Sequence, residues 1–232
     1  IGDDIRLWVA IADVSRHVPQ GSVLDEEALE RSFSVYLPGR VYPMLPPALS
    51  EDVCSLVPGE LRHCAWVRMD VAENGRIKEY DAGFGVIRSR RRFSYEEVES
   101  YLGGNRVEAP EDVLASVDVL HDVHLRLHEK RRDRGMLDLD LPEPRIMLTE
   151  DGEGVREVEP SPRLTSHRLI EECMLAANET IADFLASEHW PAVFRVHEEP
   201  NFEKLERVKR VLEGLDIKAD LSPVPTVDEL DG

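Results

Sequence analysis

Ser34-Val35-Tyr36-Leu37-Pro38-Gly39-Arg40-Val41-Tyr42-Pro43-Met44-Leu45-Pro46 is the stretch on which the layout of the chain turns. It holds three prolines, one glycine and two tyrosines. Proline removes a backbone donor and pins φ, so this stretch is predicted to run as a fixed, extended loop, neither helix nor central strand. A stiff loop that carries aromatic rings suits flat ligands, and the bases of single-stranded nucleic acid are the commonest of these. A proline-rich structural crossover whose rings only pack is the alternative. The loop continues through Leu49-Ser50 and Cys54-Ser55-Leu56 to a turn at Pro58-Gly59.

Before this stretch, Arg6 to Val14 is apolar and β-branched and reads as a buried strand. Ser22, with Asp25 three residues on, opens a helix through about Arg31. After it, His63 to Val71 and Ile77 to Ser89 read as strands joined at Asn74-Gly75, a strong hairpin signal. Ser94 and Glu97 form a capping box, Gly103-Gly104 closes that helix, and Pro110 starts a long helix to about Arg134. Leu137 to Leu141 alternates leucine with aspartate, as a strand with one apolar and one acidic face would. Asp151-Gly152 lies between two further strands, Arg145 to Thr149 and Val155 to Glu159.

A helix from Ser166 to about Glu188 is expected to bury Ile170, Cys173, Met174, Ala177, Ile181 and Phe184 as one stripe. Ala192 to Val196 reads as a short strand and Phe202 to Leu212 as a last helix. The proline-rich tail, roughly residues 220–232, is expected to be loose. With no repeat and no clear linker, the simplest reading is one α+β domain over residues 1–232, a mixed or antiparallel sheet packed with helices.

Composition narrows the function classes. At 232 residues and 42% hydrophobic, the chain can bury a real core, and it holds no eighteen-residue apolar run of the kind a membrane span needs. Three scattered cysteines without a C-x-x-C pair fit a reducing compartment, with buried thiols. A net charge of −19 argues against a nucleic-acid partner, but binding depends on local patches. Basic residues gather at Arg88 with Arg90-Arg91-Arg92 and at Lys130-Arg131-Arg132 with Arg134. They fit a basic channel in an acidic body, and a solvated surface equally.

Four groups can carry chemistry. Asp138 and Asp140 point to one side of their strand and can hold a divalent cation, or simply block an edge. His121, His124 and His128 share a helical face, which could bind zinc but has no fourth ligand nearby and more simply faces solvent. Asp13, at the end of the first strand, is placed for a site or for a turn. Glu171 is read as an inward carboxylate on a core helix, to be met by a salt bridge or a polar ligand. A ribose 2′-hydroxyl is such a ligand.

Leu7-Trp8-Val9-Ala10-Ile11-Ala12-Asp13-Val14-Ser15, Ser34-Val35-Tyr36-Leu37-Pro38 with Pro43-Met44-Leu45-Pro46, and Leu49-Ser50 with Cys54-Ser55-Leu56 keep a recognisable order. Ile87-Arg88-Ser89 with Tyr95, Ser166-His167-Arg168-Leu169-Ile170-Glu171-Glu172 with Met174 and Ala177-Asn178, and Arg195-Val196-His197-Glu198 continue it. Together they resemble the catalytic RNB domain of the ribonuclease II and ribonuclease R family. The resemblance implies a cytoplasmic, magnesium-dependent, processive 3′→5′ exoribonuclease that threads single-stranded RNA and releases nucleoside monophosphates.

It also implies that Tyr36 is one aromatic clamp, that Leu139 stands where a second would be, and that Tyr95 and Glu171 read the ribose. The family's metal-binding aspartates, spaced D-x5-D-x-D-D, and its active-site arginine have no match here. The chain therefore reads as a piece of a longer enzyme, incomplete at both ends and inactive alone, with no metal of its own. Asp13 would at most support a metal site from behind. A non-catalytic RNA- or protein-binding module on the same fold is the other possibility.

Overall fold

A computed structural model describes residues 3–136, 143–196 and 201–217. In β1 (Ile5–Ala12), apolar Ile5, Leu7 and Val9 alternate with Arg6 and Trp8, which gives the strand one buried and one open face. A short 3-10 turn at Val14–Arg16 leads to α1 (Val23–Arg31), whose cap Ser22 accepts the N–H of Asp25.

The proline stretch then departs from expectation. It forms a two-stranded antiparallel ribbon, β2 (Val35–Leu37) and β3 (Arg40–Tyr42), turning at Pro38-Gly39. The three prolines fall outside both strands, so none costs the ribbon a hydrogen bond, and Gly39 takes φ +73°. Beyond it, Ala48–Val53 winds as a π-helical turn, not an extended loop.

β4 (Leu61–Val71) and β5 (Ile77–Arg88) form the central hairpin, and the sheet runs β1-β4-β5, antiparallel throughout. Gly75 makes its turn at φ +73°. A Cβ there would lie 2.2 Å from the carbonyl oxygen of Arg126, so the turn seats against a helix only because the residue is glycine. Gly75→Ala is expected to destabilise the domain by about 2–3 kcal/mol, read as a lower urea midpoint. Gly104→Ala, also at positive φ (+86°) but with open space around it, should cost about 1 kcal/mol.

α2 (Tyr95–Leu102) begins with the full Ser94–Glu97 capping box. α3 (Glu111–Asp133) follows Pro110, and β6 (Glu143–Leu148) and β7 (Val155–Ser161) form a separate hairpin. α4 (Thr165–Ser187) and α5 (Phe202–Gly214) complete the order. Residues 192–196 form no strand.

α3 and α4 cover one face of the three-stranded sheet. The core joins Leu7, Val67, Met69 and Val71 of the strands to Val123 and Leu127 of α3 and to Leu169, Cys173 and Ala177 of α4. The buried stripe of α4 is rotated from the expected one: Ser166, Leu169, Glu172, Cys173, Ala177 and Thr180 are inside, and Ile170 is exposed. On the other face Trp66 lies over Gly83 and Gly85 and meets Trp8 at 5.1 Å between ring centroids. Cys64 and Cys173 are buried and Cys54 partly so, all as free thiols. Burial, then Glu172, pushes the Cys173 thiol up to about 11. No described helix is long and apolar enough to cross a membrane.

Candidate functional site

α2 carries Tyr95 in its first turn and Glu99 one turn later, so both side chains leave the same face. Glu99 Oε2 accepts the N–H of Ser166 at 3.0 Å, satisfying a first-turn donor of α4. The cap residue of α4, Leu164, has no side-chain oxygen to do this. The next residue, His167, takes the N–H of Leu164 on Nδ1 at 3.4 Å. Its ring meets that of Tyr95 edge to face, with centroids 4.2 Å apart and planes at 60°. Glu171 follows one turn along α4, on the face of His167. The α2–α4 junction thus gathers Tyr95, His167 and Glu171, and both Tyr95 and Glu171 are exposed. Beside them Glu96 is held below the usual carboxylate range, first by its own backbone N–H, then by Ser94, with the charge of Arg145 acting in the same direction.

The expected inward carboxylate is the neighbour of the one anticipated. Glu171 is half exposed, whereas Glu172 is 3% exposed. The reason is the rotated stripe of α4: a position three residues from Leu169 faces α3, and Glu171 falls off that edge. Glu172 Oε1 accepts from Arg131 Nη1 at 2.9 Å and lies 3.1 Å from His128 Nδ1. Arg131 Nη1 is 3.7 Å from Glu171 Oε1, beyond hydrogen-bond range. The buried carboxylate therefore holds Arg131 close, and Glu171 keeps only a longer ion pair with it, with no hydrogen bond from that guanidinium.

Tyr36 stands on the ribbon with its side of the chain 77% exposed and makes no ring contact or side-chain hydrogen bond among the described residues. The hairpin β6–β7 packs beside the ribbon and places a charge near α2. Leu148 lies where a Cβ on Gly39 would go, and the charge of Arg145 reaches Glu96. Leu139, Asp138 and Asp140 lie outside the described residues.

Asp13 serves its own turn: its carboxylate accepts from Ser15 Oγ at 2.6 Å and its N–H donates to the His63 carbonyl at 3.1 Å. The histidine face is not a solvated one. His124 is 5% exposed, with the rings of His121 and His128 at 6.0 and 5.7 Å on either side. Burial lowers the pKa of His124, against the opposing pull of Glu172. Among the described residues no three His, Cys, Asp or Glu side chains are grouped to hold a metal ion. The described residues do not fit magnesium.

The basic clusters are largely neutralised. Arg90 pairs with Asp112, and Arg91 with Glu97 at 2.8 Å. Arg132 pairs with Glu129, and Arg134 with both oxygens of Glu179. Asp4 is bound by Lys78 at 2.8 Å.

The family model of the RNB domain matches residues 2–230. The chain belongs to the RNB domain family. This RNB domain is 40% identical over 221 residues to Ribonuclease R of Thermotoga maritima, covering 93% of this chain and 31% of that protein. Its fold matches Mycoplasma genitalium RNase R in complex with ribose methylated single-stranded RNA at a TM-score of 0.88. That match is 32% identical and covers 92% of this chain and 33% of the other. The same protein in complex with double-stranded RNA gives a TM-score of 0.90 at 30% identity, over 97% of this chain and 41% of the other. The chain spans about a third of the length of these relatives. The α+β fold and the family expected from the motifs both hold.

His167, Glu99 and Glu172 were not anticipated as parts of the site. The spacing could have found the first two: Glu99 is four residues from Tyr95, and His167 four from Glu171.

Proposed function

We propose that this RNB domain is the RNA-gripping part of a cytoplasmic 3′→5′ exoribonuclease that hydrolyses single-stranded RNA to nucleoside monophosphates. The reading rests on one arrangement: Tyr95 and Glu171 exposed on a common surface at the α2–α4 junction, in a fold shared with a protein described in complex with RNA. A carboxylate accepts a hydrogen bond from a ribose 2′-hydroxyl and finds no such donor on DNA. A tyrosine face beside it packs on the sugar or base. Tyr36 supplies a second, separate stacking surface, with Leu139 as an aliphatic counterpart that lacks a ring face. Magnesium and the residues that hold it belong, in this reading, to other parts of the parent enzyme, and Asp13 is confined to support.

The roles separate experimentally. Stacking is indifferent to the sugar, so Tyr36→Ala should weaken RNA and DNA of one sequence alike, by about tenfold or more in fluorescence anisotropy. The purified chain, incubated with magnesium and a 3′-ended oligoribonucleotide, should bind without shortening it. Stepwise loss of mononucleotides on a sequencing gel would overturn the assignment of cleavage to residues outside this chain.

A further inference from the structure

The geometry points to His167 as a positioning residue that sets the Tyr95 ring beside Glu171, so that phenol and carboxylate address one ribose. This rests on the proposed function, and it assigns a task to a side chain that need not touch RNA. Three contacts argue for it. His167 Nδ1 faces the N–H of Leu164 at 3.4 Å, and a backbone N–H can only donate, so Nδ1 is the acceptor and a neutral ring carries its proton on Nε2. That contact restrains rotation of the imidazole. The restrained ring then meets Tyr95 at 4.2 Å and 60°, a geometry that aromatic pairs favour over a face-to-face sandwich. Finally, Glu99 holds α2 to the neighbouring Ser166 N–H at 3.0 Å, so the helix bearing Tyr95 is pinned one residue from the ring it leans on.

Without this buttress an exposed tyrosine on a first helical turn has free rotamers, and each must be frozen out when RNA binds. With it, the ring is already placed one turn from Glu171. His167 therefore acts on ribose recognition through Tyr95 alone.

Two substitutions separate the ring from the cap. His167→Gln keeps an acceptor for the Leu164 N–H and removes the ring; His167→Phe keeps a ring and removes the acceptor. The readout is the ratio of DNA to RNA dissociation constants for one sequence, measured on the full chain, with urea midpoints taken alongside. His167→Gln should lower that ratio about three- to tenfold, and His167→Phe should recover more than half of the loss. The Tyr95→Ala/His167→Gln double variant should be no worse than Tyr95→Ala alone.

If Tyr95→Ala itself leaves the ratio unchanged, the proposed function fails first. If Tyr95→Ala lowers it and His167→Gln does not, the buttress is refuted while the ribose reading stands. Additive losses in the double variant would also overturn it, since His167 would then act independently of Tyr95.

Discussion

Glu172→Ala is expected to lower the stability of this RNB domain by about 3 kcal/mol, seen as a fall in the urea midpoint with little change in slope. Glu172 is buried at the α3–α4 interface, where its Oε1 receives Arg131 at 2.9 Å and lies 3.1 Å from His128 Nδ1. Truncation takes from a three-quarters-buried guanidinium its close, buried partner and leaves it the longer contact to Glu171. Glu172 Oε2 has no hydrogen-bond partner among the described residues, so the native arrangement already carries a desolvation cost. A matched apolar replacement, Glu172→Leu with Arg131→Met, should therefore retain more stability than Glu172→Ala alone. The substitution should also reach the surface. Once released, Arg131 can close the 3.7 Å gap to Glu171 and occupy it, so the folded fraction of Glu172→Ala should bind RNA less well than wild type.

Glu171→Ala should weaken binding of a single-stranded oligoribonucleotide by about tenfold to a hundredfold and leave the matched DNA unchanged. The range is that of one hydrogen bond to a charged acceptor. Glu171→Gln, which keeps an acceptor and loses the charge, should fall between. Stability should barely move, because the side chain is half exposed and its nearest cation is held elsewhere. Equal losses on RNA and DNA would mean that Glu171 acts through the general field of the surface and not through the 2′-hydroxyl.

Local chemistry was legible in the sequence where a residue type settles a backbone question. Ser22, the Ser94–Glu97 box and Asn74-Gly75 each mark an element boundary found in the structure, because caps and tight turns depend on a few neighbouring atoms. The ribbon at Val35–Tyr42 was not, since proline excludes conformations more firmly than it selects one. The choice between Glu171 and Glu172 turned on about 100° of helix rotation. Apolar residues at Ile170, Met174 and Ile181 made two stripes nearly equivalent on paper, and contact with α3 and the sheet decided between them. Likewise the histidines of α3 looked polar enough for solvent, yet His124 is buried in the folded chain. Of the proposed site, Tyr36, Tyr95 and Glu171 were named from the family resemblance, and the structure leaves all three exposed, but the contact of Tyr95 with His167 crosses between helices distant in sequence.

The central claim is that this domain reads the sugar of an RNA strand. The most direct test titrates the chain with two fluorescent oligonucleotides of one sequence, identical except that the second lacks 2′-hydroxyls in its last few 3′ nucleotides. The account predicts that the all-ribose strand binds at least about tenfold more tightly, and that Glu171→Ala abolishes the difference. Equal affinity for the two strands in the unaltered chain would contradict it.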